Sequence, residues 1–249
     1  MKIASITAPN PGAFTLDGTR TWLLGRSAVI DPGPAIDSHI DAIREAMPQL
    51  DTIFITHRHA DHAPAAMPLK LATGAKIVAP LDFADVIVQG GETFDVDGER
   101  LEAIATPGHT SEHICYLTGS GDLFTGDTVL GAGTTAIFPP DGNMADYLRS
   151  LALLRARNPK VIHPAHGPSR EDAVALLDEY MAHRRDREQQ VLRAVGSGMR
   201  TIPAMRQAIY PDLDPRLHRA AEIQLLAHLI KLVDEGRVVQ TGEQYGLSG

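Results

Sequence analysis

Short apolar runs alternate with turns rich in glycine, proline and aspartate over the first two thirds of the chain. Apolar runs of this length between turn residues are typical of buried β-strands. They predict strands over residues 21–30, 51–56, 75–79 and 160–163. They also predict hairpins over 93–106, turning at Asp97-Gly98, and over 114–125, turning around Gly119-Ser120-Gly121.

Helical periodicity separates some of these strands. It predicts helices over residues 37–47, with Asp37 or Ser38 as the N-cap, and over 144–157. Strands with interspersed helices are typical of a layered α/β domain, in which helices cover the faces of β-sheets. We therefore predict an α/β domain over residues 1–169.

The pattern changes from about residue 170, where long helical periodicity replaces the short strands. Helices are predicted over 170–195, ending at Gly196-Ser197-Gly198, and over 202–209 and 215–235. The last helix is amphipathic, and its apolar positions are Leu217, Ala221, Leu225, Leu226, Leu229, Leu232 and Val233. A β-wing over 237–247, turning near Gly242, completes the order expected of a small winged-helix domain over residues 170–249.

Composition is that of a globular protein, with 43% hydrophobic and 22% charged residues. The net charge of the chain is −8. Residues 1–186 carry −9 and residues 187–249 carry +1, so the acidic excess lies in the first part of the chain. An acidic main body is not the electrostatic signature of a nucleic-acid binder. Cys115 is the single cysteine, sits in an apolar run and is interpreted as a core thiol. With no signal-peptide layout and no membrane-length apolar run, these features predict a cytoplasmic location.

The strongest chemical signal is the run Thr56-His57-Arg58-His59-Ala60-Asp61-His62, directly after an apolar strand. It places four metal-capable side chains on one loop, and imidazole with carboxylate suits zinc. Three further candidates, His109, Asp127 and His166, also follow apolar strands in glycine-rich turns. Each is weak alone, but together they predict one metal site at the strand ends.

This set resembles the metallo-β-lactamase superfamily over residues 3–168, and the resemblance implies an αβ/βα sandwich. It implies that His57, His59 and His109 hold a first zinc ion and that Asp61, His62 and His166 hold a second. Asp127 would bridge the two ions, and iron or manganese are alternative metals. Asp31, in Ile30-Asp31-Pro32-Gly33, is interpreted either as an acceptor that orients a ligand histidine or as a turn-forming residue.

The resemblance also implies hydrolysis by a hydroxide that bridges the metals, with Asp61 orienting the nucleophile. Antibiotic-degrading members usually replace the bridging aspartate, so Asp127 counts against a dedicated β-lactamase and leaves weak side activity as an alternative. All seven ligand positions also resemble glyoxalase II, but the tail carries no matching glutathione motif. The loop over 130–141 is expected to shape the cleft.

The tail, with His183-Arg184, Arg187-Glu188, Ile209-Tyr210-Pro211 and Gly236-Arg237-Val238, resembles a subgroup that includes an animal mitochondrial endoribonuclease and fungal polyketide thioesterases. We therefore favour a small ester or thioester substrate, with single-stranded RNA as the alternative. A third hypothesis is a ligand-sensing DNA-binding protein. Arg216, Arg219 and Lys231 offer a thin phosphate-binding face, which favours a tail that packs, dimerises or walls the cleft. His183, His218 and His228 are predicted not to bind metal.

Overall fold

The structure, a computed structural model that describes residues 1–248, is built from two β-sheets, each covered by helices on one face. The first sheet has six strands in chain order, the first three antiparallel and the rest parallel. Its strands are β1 (Ile3–Thr7), β2 (Arg20–Leu24), β3 (Ala28–Ile30), β4 (Thr52–Phe54), β5 (Lys76–Ala79) and β6 (Val86–Ile87). Helices α1 (Asp37–Ala46) and α2 (Ala66–Thr73) belong to this half.

The second sheet has five strands in the order β11-β10-β9-β8-β7, and only its β10–β11 pair is parallel. Its strands are β7 (Thr93–Val96), β8 (Glu99–Ala105), β9 (Ile114–Thr118), β10 (Asp122–Gly126) and β11 (Val161–Pro164). Helix α3 (Met144–Ala156) and the first half of α4 (Ala173–Gly196) cover its outer face.

Alternation along the strands of the first sheet explains this layering. Trp22 and Phe54 point to the second sheet and pack in one cluster with Tyr116 and Phe124. Their neighbours Leu23 and Ile53 point the other way, into the cluster shared with α1 and α2. Successive strand side chains face opposite sides of a sheet, so an unbroken apolar run can bury both faces. The predicted α/β sandwich is confirmed.

Both predicted hairpins of the second sheet are confirmed, but the single strand predicted over 21–30 is wrong. It is a hairpin, β2 and β3, that turns at Gly25 with φ +58°. The carboxylate of Asp97, from the other sheet, accepts hydrogen bonds from Arg26 N and Ser27 Oγ and holds this turn. That support comes from 70 residues away in the chain, so the local pattern could not reveal it.

The predicted N-cap of α1 is also wrong, since Ile36 occupies that position without a side-chain hydrogen bond. Its carbonyl accepts from His39 N and Ile40 N instead, closing the first turn through the backbone. Helix α4 begins at Ala173, three residues later than predicted, because Arg170 pairs with Ile162 in an isolated bridge. Strands β1 and β6 and helix α2 were not predicted.

The tail has its own core below the second half of α4. Helices α5 (Ile202–Ile209) and α6 (His218–Asp234) and the hairpin of β12 (Val238–Thr241) and β13 (Gln244–Leu247) surround it, which confirms the winged-helix order. A short 3₁₀ turn, Pro215–Leu217, precedes α6. Because α4 contributes to the cores of both halves, it joins them without an intervening linker. The boundary after residue 169 stays a prediction.

None of the helices that the structure describes is long and apolar enough to cross a membrane. Cys115 is fully buried, which confirms its place in the core, and burial raises the pKa of its thiol to about 12. The cytoplasmic location stays a prediction.

His228, on α6, is buried with no hydrogen-bond partner for either ring nitrogen. Burial, together with the nearby cations Arg184 and Lys231, lowers its pKa from 6.5 to about 3. The unfolded chain therefore binds a proton below pH 6.5 that the folded chain excludes, so stability falls as the pH drops from 6.5 towards 3.

We expect His228→Leu to remove this part of the acid sensitivity, because leucine has no titrating group and fills a similar apolar space. Denaturant unfolding at pH 7 and pH 5 should show a loss of stability that is about 2 kcal/mol smaller in the variant than in the wild type. Equal losses in both proteins would contradict a neutral buried His228.

Candidate metal centre

The seven predicted ligands meet at one edge of the sandwich, where strands of both sheets end. The run from His57 to His62 follows β4, and the other three follow β8, β10 and β11. Parallel strands bring their carboxyl ends to the same edge, and hairpin partners return the chain to it. The side chains that converge there are His57, His59, Asp61, His62, His109, Asp127 and His166.

His57, His59, His109 and Asp127 form a first group, whose ligand atoms all lie within 4.8 Å of one another. His59 Nδ1 is 2.9 Å from His57 Nε2 and 3.1 Å from His109 Nε2. Asp127 Oδ2 lies 3.5 Å from His109 Nε2. In tetrahedral zinc sites with bonds of about 2.0–2.1 Å, neighbouring ligand atoms are separated by about 3.3 Å, which is close to these distances.

Asp61, His62 and His166 form the second group. Asp61 Oδ2 lies 3.3 Å from His62 Nε2 and 3.2 Å from His166 Nε2. The other oxygen of Asp127, Oδ1, lies 3.2 Å from His166 Nε2 and 3.5 Å from His62 Nε2. Asp127 therefore directs one carboxylate oxygen at each group, the arrangement that a bridging ligand needs.

Hydrogen bonds outside the cluster fix which ring nitrogens face inward. His109 Nδ1 lies 2.8 Å from the Ala136 carbonyl and His62 Nδ1 lies 2.8 Å from the Asp31 carboxylate, so both Nδ1 atoms donate. The hydroxyl of Thr56 donates to Asp31 and therefore accepts from His57 Nδ1. Each of these histidines thus keeps Nε2 free to accept, and a set of converging acceptors suits a cation.

Two atoms at the centre of the cluster are buried without a hydrogen-bond partner, His62 Nε2 and Asp127 Oδ1. Buried polar atoms are nearly always satisfied, and these two lie 3.5 Å apart at the second group of ligands. A cation between them would satisfy both. The donor set, its spacing and these unpartnered atoms therefore fit a pair of metal ions.

Electrostatics in the cluster favour ionised carboxylates. Burial alone would raise the pKa of Asp127, but His62 and His166 hold it well below its usual value. Burial would likewise raise the pKa of Asp61, yet the neighbouring His166 and His62 lower it. The pKa of His57 falls well below 6.5 through burial and the neighbouring His62. Ionised carboxylates and a neutral His57 are the forms that metal ligation requires.

Asp31 is fully buried beneath the cluster with φ +52°, a left-handed conformation that is unusual outside glycine. Its carboxylate accepts from Thr56 N at 2.8 Å, from the Thr56 hydroxyl at 2.8 Å and from His62 Nδ1 at 2.8 Å. This geometry favours the interpretation of Asp31 as the acceptor that orients His62.

We expect Asp31→Asn to weaken metal binding by about 10- to 100-fold, because an amide has one accepting oxygen and cannot accept from both the Thr56 backbone N–H and His62 Nδ1. Chelator competition measures the affinity. Asp41→Asn, on the exposed side of α1, is the matched control and should bind metal like the wild type. Equal affinities in all three proteins would leave Asp31 with a turn-forming role only.

Two supporting residues were missed by sequence reasoning. Thr19 donates from its hydroxyl to Asp61 Oδ2 at 3.1 Å. His113 is buried, stacks on His57 with ring centroids 4.9 Å apart, and accepts from Asp127 N at 3.3 Å. His113 lies in a strand-end turn beside His109, which is a weak signal, whereas Thr19 carries no sequence signal at all.

The tail holds the loop that orients His109. Arg184, on α4, donates to Thr134 Oγ1 at 2.8 Å and to the Thr135 carbonyl, and its guanidinium lies over the Tyr147 ring. Gln224, on α6, donates to the Ile137 carbonyl at 3.0 Å. The intervening Ala136 carbonyl is the partner of His109. Two tail helices thus hold the residues on both sides of Ala136, whose carbonyl contacts a predicted ligand.

A cavity of about 400 Å³ opens above the cluster. His59, Asp61, His109, Asp127 and His166 form its floor, and the walls come from residues 13–16, 130–138 and 210–224. The loop over 130–141 therefore shapes the cleft as predicted. Within residues 1–248, no lysine or arginine lines the cavity.

Comparison with known proteins identifies two matching families. Residues 15–84 and 80–166 match the model described as Metallo-beta-lactamase superfamily, and residues 201–246 match the model described as Beta-lactamase associated winged helix domain. Beta-lactamase-like protein 2 homolog of Drosophila melanogaster is 32% identical to this chain and covers 95% of it and 89% of that protein. Atrochrysone carboxyl ACP thioesterase of Aspergillus chevalieri is 29% identical, covering 95% of this chain and 82% of that protein.

Solved structures share the fold across both parts of the chain. A metallo-beta-lactamase family protein from Thermus thermophilus aligns with a TM-score of 0.81 at 20% identity, covering 98% of each chain. A beta-lactamase domain protein from Burkholderia ambifaria aligns with a TM-score of 0.84 at 19% identity, covering 98% of this chain and 91% of that one.

Proposed function

This chain belongs to the metallo-β-lactamase superfamily of hydrolases, and from that premise we propose a dinuclear zinc enzyme that hydrolyses a small thioester or related ester. One ion would be held by His57, His59 and His109. The other ion would be held by Asp61, His62 and His166, and Asp127 would bind both ions. Imidazole and carboxylate suit zinc, although iron and manganese accept the same ligands.

The observation that carries this proposal is the position of the ligand cluster at the floor of a cavity whose walls, over the described part of the chain, carry no charged side chain. A hydrolytic centre needs ligand side chains that remain accessible to substrate, and five of the seven line the cavity. The walls above them offer no cation to a phosphodiester backbone, which is recognised mainly by lysine and arginine. A neutral thioester therefore fits this site better than RNA does.

Bound zinc would supply Lewis acidity, lowering the pKa of water and polarising the substrate carbonyl. Asp61, partly exposed and fixed by the Thr19 hydroxyl, would orient the attacking water and accept its hydrogen bond. In the overall reaction, water forms a bond to the thioester carbon and the carbon–sulfur bond breaks. The sulfur leaves as the thiol after gaining a proton, and the acyl group leaves as the acid.

The orientation of α6 favours the same substrate class over nucleic acid. Its amino-terminal end lines the cavity through Ala220, Ala221 and Gln224, so this face of the helix is occupied within the protein. Lys231 is paired with Glu188 and Glu235, and Arg216 is paired with Asp214. Arg219 alone remains of the basic residues considered for phosphate contact. A tail that forms one wall of the cleft thus explains more of the contacts made by α6 than a role in DNA binding does.

The experiment is a substrate panel with zinc-loaded protein and an Asp61→Asn control, preceded by measurement of metal content. Acyl thioesters, end-labelled single-stranded RNA and a β-lactam would be tested in parallel. We expect two zinc ions per chain and thioester turnover that the control lacks. RNA cleavage by the wild type alone would replace the thioester proposal, and saturable duplex-DNA binding without any turnover would favour a regulator. A homodimer through the tail stays a prediction.

A further inference from the structure

The tail supplies one complete wall of the cavity. Leu217, Ala220, Ala221 and Gln224 line it, at a spacing that places them on one face of the helical segment. Leu225, Leu229 and Leu232 lie in the tail core instead. The amphipathic pattern of α6 therefore serves two apolar environments, and its amino-terminal part is an element of the substrate site.

We propose that this face of α6, together with the 3₁₀ turn before it, makes the cavity an acyl pocket selective for a neutral, apolar acyl group, with Leu217 and Ala221 as specificity-determining residues. The inference rests on the proposed thioester hydrolysis and adds which acyl group is accepted and which residues choose it.

Three polar side chains of the walls, Thr134, Thr135 and Gln224, already hydrogen-bond within the protein. The Thr135 hydroxyl shares its single proton between the carbonyls of Asp127 and Thr128. The Thr134 hydroxyl accepts from Arg184, and the Gln224 amide donates to the Ile137 carbonyl. A charged acyl group would therefore lose water without meeting an opposite charge on the walls that the structure describes, which is costly.

The opposite wall is aromatic. Phe14, which is 63% exposed at the mouth, meets Phe138 edge to face with ring centroids 6.1 Å apart. An acyl chain lying between this pair and the small side chains of Ala220 and Ala221 would bury most of its surface. The cavity volume is at the small end of the range of about 300–1,000 Å³ that is usual for ligand pockets, so a medium-length alkyl chain or a single ring matches it.

The test uses N-acetylcysteamine thioesters of acetate, hexanoate and succinate with the zinc-loaded full chain. Each buried methylene is worth about fourfold in binding. We therefore expect kcat/KM for the hexanoyl thioester to be at least about tenfold higher than for the acetyl thioester. It should be about 100-fold or more higher than for the succinyl thioester.

Two variants locate the selectivity on α6. Ala221→Phe fills the pocket from the tail side and should lower the hexanoyl-to-acetyl ratio by at least about tenfold. Leu217→Arg introduces a cation at a position that is 49% exposed, where folding is not at risk. It should raise the succinyl-to-hexanoyl ratio by about tenfold. Arg219→Phe adds the same ring on the exposed side of the helix and is the matched control.

A binding measurement tests the apolar pocket independently of catalysis. N-phenyl-1-naphthylamine, a neutral apolar dye, should bind the zinc-free chain, and Ala221→Phe should weaken that binding at least about fivefold. If the wild type hydrolyses none of these thioesters, the proposed function is refuted. Turnover with equal kcat/KM for acetyl and hexanoyl, or ratios unchanged in both α6 variants, would overturn the acyl pocket and leave the hydrolase intact.

Discussion

Asp127→Ala should bind far less zinc than the two ions expected per wild-type chain and should lose roughly 10³-fold or more of its turnover. The physical reason is the position of the carboxylate, with Oδ2 facing the first ligand group and Oδ1 facing the second. Removal of one residue therefore weakens both sites together. His59→Ala should also abolish turnover, but it removes a ligand from the first group only.

Metal analysis after dialysis and steady-state kinetics measure the two effects of Asp127→Ala. Asp51→Ala changes an exposed aspartate whose recorded side-chain partner is the Thr52 hydroxyl, and it serves as the control for expression and folding. A variant that loses Asp127 and keeps full zinc content and activity would show that the cluster is not the hydrolytic centre.

Arg184→Met should reduce turnover by about 10- to 100-fold although Arg184 touches none of the seven ligands. Its guanidinium holds the Thr135 carbonyl, and the next carbonyl along the chain orients His109. Loss of that bond leaves a buried carbonyl unpaired, which costs about 1–3 kcal/mol of unfolding free energy. It also frees the loop that aims a metal ligand.

Zinc affinity is the readout that separates this positioning role from a purely structural one. We expect weaker zinc binding in Arg184→Met, partial recovery in Arg184→Lys and wild-type behaviour in Arg185→Met, whose side chain lies next in sequence and is exposed. Unchanged zinc affinity together with lower stability would limit Arg184 to holding the two halves of the chain together.

The sequence located the candidate ligands because the signal for each is local. Apolar alternation marks a strand, and His57, His109, Asp127 and His166 each follow such a strand in a turn. Since strand ends gather at sheet edges, local patterns were enough to predict one site. The same reasoning located the hairpin at Asp97-Gly98 and the tail helices, whose periodicity and breakers lie within a few residues of each other.

Other features depend on contacts between segments that are distant in the chain. The turn at Gly25 needs Asp97, the carboxylate of Asp61 needs Thr19, and the loop beside His109 needs Arg184. No spacing rule connects these pairs, because packing of the two sheets and of α4 sets their distances. Leu217 and Ala221 likewise share a helical pattern with Leu225, and only the packing of the tail decides which of them face substrate.

The sequence by itself therefore determined most of the element types, the candidate ligand residues and the family resemblance, since periodicity and motif spacing are properties of a short stretch of chain. Tertiary structure alone decided which ring nitrogens face inward, how Asp127 divides its oxygens between the two groups, and that α6 closes the cavity. These depend on hydrogen bonds and side-chain burial between distant segments, which exist only after the layers and the tail have packed together.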